Sequence, residues 1–529
     1  MGTLWTADKI YTMKHENHTV EAIYTKDGDI VDTGDYHQLK SQYQDEIDEE
    51  YHSKGTILPG FIDSHLHIIG HGERLLRLDV TYIDSRQELL RQVEEALRSV
   101  DAGKWLIAEG FNENNWDEPY VIHRQELDAI STEHPIILTR VCRHAMVANS
   151  KAMEIAGVYH DIAEPDGGVI ERDETGELTG YFLDQGQELL KQAMPEPDQA
   201  YLKKAINQSV NDLLSNGIVS GHSEDLSYYG DYSKTINAFR ETIGVDQRFR
   251  AHLLVHHEIV DDYIEEQGIG QEQDDWLEFG AMKLFADGAL GGRTALISQP
   301  YADDPETNGV AIHSDHGLKE LILKARSYRM AVAVHTIGDL AAEKVLDVIE
   351  AHPPEQNQKD RIIHGQIMRP DLIQRMAKLP VIIDIQPTFV SSDFPWAIDR
   401  VGYPLIDSSY PWKDYLDAGI LCGGSSDAPI EEINPLNGIA AAVDRRSQFD
   451  GQSYLTSQCL SIFEAAQLYT VNAAKIVQKE NDQGLILPSY KADFVVLDND
   501  ILQSSPDRIR QTNVKETIVG GHVVYRSEE

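Results

Sequence analysis

Basic residues are scarce in this 529-residue chain: Lys and Arg total 46 against 88 Asp and Glu, a net charge of −42. That balance argues against nucleic acid or an anionic membrane as a partner, because both require a cationic surface. Cysteine is scarcer still, with Cys142, Cys422 and Cys459 far apart and odd in number. They suggest neither a disulfide framework nor C-x-x-C metal spacing, so a reducing, cytoplasmic setting is expected. The N-terminus lacks the long apolar core of a signal peptide, and no apolar run approaches a membrane span. Gly2 with Thr6 fits only the loose myristoylation pattern, in a stretch that reads as a strand. The sequons at Asn17 and Asn207 carry no weight without a secretion signal. Tandem repeats and low-complexity tracts are absent.

What remains is the composition of a folded protein, 41% hydrophobic and 25% charged. The length exceeds what one core usually supports, so two or three domains are expected. Both ends are β-rich, from TLWTADKIYTM and a hairpin at Asp27-Gly28 to the closing ADFVVLDND and VKETIVGGHVVYR. Residues 1–57 plus 484–529 are therefore expected to pair into one discontinuous β-sandwich domain. Between them, short apolar runs alternate with amphipathic stretches, as in βα units around a parallel sheet. Eight runs qualify as barrel strands, near residues 61, 218, 251, 281, 330, 362, 382 and 421. Residues 58–483 are expected to form a (β/α)8 TIM barrel. The oversized stretch 72–202 is too long for a structureless loop and reads as an inserted α/β subdomain that includes the first barrel helix. Asp339 is expected to cap one barrel helix and Pro370 to open another.

Polar residues interrupt these apolar runs at telling places. His65 and His67 are two apart and point to one side of a strand. His335 ends AVAVH, His364 ends RII, Asp427 closes ILCGGSS, and Lys283 breaks GAMKLFA. In a parallel barrel the strand ends meet on one face, where active sites are built. Four imidazoles and a carboxylate exceed the needs of one tetrahedral ion, which favours two. An ammonium at Lys283 beside two cations would be neutral or chemically changed.

The segments LPGFIDSHLH, MKLFADGALGGRTA, VAVHTIGD, RIIHGQ and GGSSDAP resemble the amidohydrolase superfamily, best its amidohydrolase-3 branch, which includes N-substituted formamide deformylase. The resemblance implies a hydrolase of non-peptide carbon–nitrogen bonds, with two divalent ions, zinc first among them. It implies His65, His67, His335, His364, Asp427 and a carboxylated, bridging Lys283 as ligands. The implied chemistry is attack of metal-bound hydroxide on a small-molecule amide, with Asp427 shuttling a proton to the leaving nitrogen. GFNENNWDE and RHAMVANSKAMEIAGV also resemble the branch, making Trp116, His144 and Asn149 substrate-pocket candidates; Arg293 joins them from the loop after Lys283. Asp63 is expected to support the histidines, whereas Asp287, Asp393 and Trp396 fit loop packing as well as pocket lining. His222, His256, His257 and His313 read as ordinary core or surface residues. The alternatives are a one-metal heterocycle deaminase, which typically lacks the strand-four lysine, and an inactive binding or assembly homologue, which is expected to lose ligands. A homodimer is expected from base rates alone.

Overall fold

The computed structural model describes residues 2–528 apart from Tyr82, 114–115, 117–119, 141–144, 166–167 and 269–273. Backbone proximity divides the chain into two compact units, residues 1–71 with 202–529 and residues 72–201.

Eight parallel strands organise the larger unit: β1 (Phe61–Leu66), β2 (Ile218–Ser223), β3 (Arg250–His256), β4 (Leu277–Phe285), β5 (Val332–Thr336), β6 (Asp360–His364), β7 (Val381–Ile385) and β8 (Cys422–Gly424). Each pairs with its chain neighbour, in the order β1 to β8. Beyond the strands, Asp427 N donates to His65 O (2.9 Å) and His67 N to Ala428 O (2.8 Å), joining the ends of β8 and β1 into a nearly closed TIM barrel. Burial explains the apolar runs. Every residue of β6 and β7 is buried, as expected of parallel strands covered on both faces.

Helices cover the outside with apolar stripes. Asp339–Ala351 buries Ala342, Val345, Leu346 and Ile349 on one side. Its cap is Gly338 and not the expected Asp339, because a Cβ at 338 would lie 2.0 Å from Leu296 O. Asp339 turns inward instead, accepting from Ser298 N (2.8 Å) and Arg369 Nη1 (2.9 Å). Pro370 opens the next helix, Pro370–Met376.

Strands from both chain ends join in one seven-stranded mixed sheet. Gly2–Tyr11 lies parallel to Glu49–Pro59 at its centre, and His522–Arg526 and Asp29–Gly34 form its edges. The strands expected as a β-sandwich thus share one continuous ladder. Asp27 and Gly28 both take positive φ (54° and 95°) in the turn between Thr19–Lys26 and Asp29–Gly34, the backbone a two-residue hairpin favours. Trp5, Ile23, Ile57, Phe494 and Ile518 form the core against one face.

The smaller unit has its own six-stranded sheet, from Gly168–Arg172 at one edge to Leu78–Asp79 at the other. Helices Arg86–Leu97 and Arg124–Ile130 pack Leu89, Val93 and Leu127 against Leu106, Phe111 and Leu138. Among the described residues, no helix is long and apolar enough to cross a membrane.

Candidate metal centre

Six polar side chains gather at the C-terminal rim of the barrel. His65 is the penultimate residue of β1 and His67 follows the strand; Lys283, His335 and His364 are among the last residues of β4, β5 and β6; Asp427 lies just beyond β8. His65 Nε2 is 3.4 Å from Lys283 Nζ and 3.4 Å from Asp427 Oδ1, and His67 Nε2 is 3.6 Å from the same carboxylate oxygen. One ligand atom from each of His65, His67 and Asp427 falls within 4.8 Å of the others. His364 completes the arc, its ring 5.9 Å from His65 and 4.5 Å from His335.

The hydrogen bonds around these rings orient their lone pairs. His67 Nδ1 faces Glu224 O at 2.5 Å, His335 Nε2 faces Gly288 O at 3.2 Å, and His364 Nδ1 faces Gln386 Oε1 at 2.8 Å. Gln386 is held in that orientation because its Nε2 donates to Ser425 Oγ (2.9 Å) and Asp384 O (3.2 Å). Each acceptor requires an N–H, so the inner nitrogens of His335 and His364, which burial keeps neutral, carry lone pairs, while His67 turns its inner nitrogen to Asp427. His364 Nε2 and His335 Nδ1 then confront each other at 3.0 Å, two lone pairs with no proton to share. This arrangement fits a cation. Outer nitrogens tied to carbonyls and inner nitrogens converging are how proteins present imidazole to a metal.

Neighbouring residues build the scaffold. Asp63 accepts from His65 N (3.0 Å), Ser426 N (3.1 Å) and Ser426 Oγ (2.6 Å), fixing the turn that delivers Asp427 to β1. Asp287 accepts from Leu296 N, Ile337 N and Gly338 N at 2.8–3.0 Å, binding the loop after β4 to the loop after His335. His364 and Asp427 have φ of 77° and 56°, the left-handed backbone that most side chains avoid but Asp and His adopt more readily.

Charge is tightly managed here. Burial pulls the Lys283 amine below its ordinary range, and Glu224 is the main carboxylate opposing that shift. Burial likewise holds His65 and His335 well below the usual imidazole value. Burial also opposes a charge on His67, but its hydrogen bond to Asp427 and the charge of Glu224 push it up to about 9. Asp427 resists its own burial through His67 and His364 and stays below the ordinary carboxylate range. A cation would meet an ionised carboxylate.

The proposed substrate residues are placed differently. Trp116 is built into the core of the smaller unit, its Nε1 donating to Ile83 O at 3.1 Å. Asn149 is fully buried and caps the helix Ser150–Ile155, while its amide donates to Ser131 O and His134 O. Both have structural roles within the smaller unit. His144 lies outside the described residues. Arg293 is held by Asp303 at 2.8 and 3.0 Å in a half-exposed pair. Asp393 accepts from Tyr410 Oη (2.5 Å) and Gln366 Nε2 (2.7 Å), and Trp396 Nε1 donates to Ser392 O.

Sequence reasoning missed Glu224 and Gln386. Glu224 is fully buried, takes a 2.5 Å hydrogen bond from Tyr228 Oη, and lies 3.9 Å from His67. An aromatic rim also went unread: Tyr228, His256 and Phe285 form an unbroken series between His67 and His335, with ring spacings of 5.2–6.2 Å. His256 is thus part of the rim, although it reads as an ordinary histidine in sequence.

The sequence model of the amidohydrolase family matches residues 54–525. The chain is 45% identical to the "Putative amidohydrolase YtcJ" of Bacillus subtilis (strain 168), over 99% of each chain. It is 26% identical to N-substituted formamide deformylase of Arthrobacter pascens, covering 98% of this chain and 97% of that one. An uncharacterized metal-dependent hydrolase from Pyrococcus horikoshii OT3 superposes with a TM-score of 0.81 at 28% identity, over 96% and 99% of the two chains.

Proposed function

The chain belongs to the amidohydrolase family, and from that premise we propose that it hydrolyses an amide-type bond of a small molecule at a two-ion centre held by His65, His67, Lys283, His335, His364 and Asp427. It is a hydrolase of carbon–nitrogen bonds other than peptide bonds. The observation that carries the reading is the facing pair of lone pairs on His335 and His364, 3.0 Å apart and beside the His65–His67–Asp427 cluster. Zinc is among the metals that suit imidazole and carboxylate donors. When bound, such ions supply Lewis acidity to a carbonyl and lower the pKa of water to about 7.

The chain's own groups supply the remainder. Glu224 O, Gly288 O and Gln386 hold three imidazoles in the ligating tautomer. Asp427 receives the proton of the attacking water on its carboxylate and passes it to the departing nitrogen, which leaves as a neutral amine. Lys283, 1% exposed, is the group to be carboxylated. Its ammonium would first release one proton to give the amine, whose nitrogen would then bond to the carbon of carbon dioxide with release of a second proton, leaving a carbamate anion. A buried positive charge would thereby become an anionic group able to hold metal. The aromatic rim of Tyr228, His256 and Phe285 offers apolar surface to the substrate's organic part.

The compact trio His65, His67 and Asp427 favours one ion, the observation behind a single-metal heterocycle deaminase as second reading. Lys283 within 3.4 Å of His65 speaks for two. The same proposal makes the protein cytoplasmic and without nucleic-acid or membrane partners, supported by the free thiols of Cys422 and Cys459 and the net charge of −42; a homodimer rests on base rates alone. The test is a screen of zinc-loaded protein against N-formyl and N-acyl amines, N-acyl amino acids and cyclic amides. Release of carboxylate from one of these classes is expected. Ammonia release from nucleobases, with no amide cleaved, would favour the deaminase.

A further inference from the structure

At the barrel end opposite the metal centre, a cavity of about 270 Å³ opens among the N-terminal parts of β3, β4, β5 and β6. Its charged lining is basic: Arg329, Lys359 and Arg361, with His252 beside them. Among the described residues that line it, none is Asp or Glu. In a chain with a net charge of −42, a cavity of this lining is a local reversal of the field. The metal-centred chemistry above makes no use of it.

Arg361 is the informative residue. It is 2% exposed, and two of its three nitrogens are committed: Nε donates to Asp384 Oδ2 (2.9 Å) and Nη2 to Ser64 O (2.6 Å). Nη1 has no hydrogen-bond partner among the described residues. A buried guanidinium N–H without an acceptor is costly, and natural structures rarely leave one so. His252 turns Nδ1 toward Glu278 at 3.5 Å and lays Nε2 where a Cβ on Gly280 would sit, 1.9 Å from that ideal position. Glycine at 280, itself part of the lining, makes room for this ring edge. At the opening, Lys359 is exposed and has no ion-pair partner among the described residues, while Arg329 makes only an exposed 3.5 Å contact with Glu355.

We propose that this cavity binds a small oxyanion, a carboxylate or phosphate of few heavy atoms, between Arg361 inside and Arg329 and Lys359 at the opening. Planar guanidinium groups recognise both anion types by paired hydrogen bonds. The site is also placed to matter for stability. Arg361 grips the carbonyl of Ser64 on β1 and the carboxylate of Asp384 on β7, so a ligand on Nη1 braces three strands at once.

The experiment titrates the full-length, zinc-loaded protein with inorganic phosphate and, separately, with succinate. Ionic strength is held constant with chloride, and unfolding temperature and calorimetric heat are read. A saturable rise in unfolding temperature and one site per chain are expected for at least one anion. Saturation by phosphate alone identifies a phosphoryl ligand, and by succinate alone a carboxylate. Lys359→Glu and Arg329→Glu, at exposed positions remote from the metal ligands, should each weaken binding by about tenfold and leave amide hydrolysis unchanged. Absence of saturable binding by both anions would overturn the proposal. So would binding that neither variant weakens, since the anion would then sit elsewhere, including on the metal ions.

Discussion

His364 Nε2 lies 3.0 Å from His335 Nδ1, and each ring gives its other nitrogen to a fixed acceptor, Gln386 Oε1 or Gly288 O. Two hydrogen-bond acceptors face one another, an arrangement favoured around a cation. The relationship assigns a purpose to Gln386, which decides the tautomer of His364.

Replacing Gln386 with Ala should therefore weaken metal binding by about 10- to 100-fold, the usual cost of losing a residue that orients a ligand. Competition with a chromogenic chelator measures it. Unchanged affinity would mean that His364 keeps its tautomer by other means.

Asp427→Asn keeps the shape of the side chain and removes its proton-carrying capacity. Turnover should fall on the order of 10²- to 10⁴-fold, with circular dichroism and unfolding temperature near those of the parent. A variant with full turnover would remove Asp427 from proton transfer.

The pH dependence of stability has a contributor away from the metal ligands. Burial pushes the Asp393 carboxyl from 3.8 up to about 7, with the charge of Glu431 adding to the effect against the hydrogen bonds of Tyr410 and Gln366. Between those two values the folded state binds more protons than the unfolded one, so this group makes stability fall as pH rises from about 4 to 7. Asp393→Asn keeps an acceptor for Tyr410 and cannot titrate. The drop in unfolding temperature between pH 4.5 and 7.5 should be smaller in the variant; an equal drop would exclude Asp393 as its source.

A buried ion pair fastens the terminal sheet to the barrel. Arg250 of β3 meets Asp493 through Nε (2.6 Å) and Nη2 (3.2 Å), and Asp493 also accepts from Gly520 N at 2.7 Å. Arg250→Met strands a buried carboxylate and should cost roughly 3–5 kcal/mol in urea unfolding. A loss under 1 kcal/mol would indicate that water reaches Asp493.

The barrel and its ligand candidates were legible because each strand is a short apolar run broken by one polar residue at the rim, as in VAVH at His335 or RIIH at His364. Period and position sufficed there. Glu224 and Gln386 carried no such mark: their roles arise only where β2 meets His67 and β7 meets His364, contacts between residues distant in sequence. Trp116 could not be placed from sequence, since an indole suits a pocket or a core, and the fold packs it in the core of the smaller unit. Asn149 was readable after all. An Asn directly before Ser-Lys-Ala-Met-Glu is a helix cap by its chemistry.

The account rests on two cations held by six converging side chains. The direct measurement is the metal-to-protein ratio of full-length protein, dialysed after zinc loading and analysed by plasma mass spectrometry. Two ions per chain are expected in the parent and fewer in Lys283→Ala. A ratio of one or less in the parent, unchanged in Lys283→Ala, would contradict it.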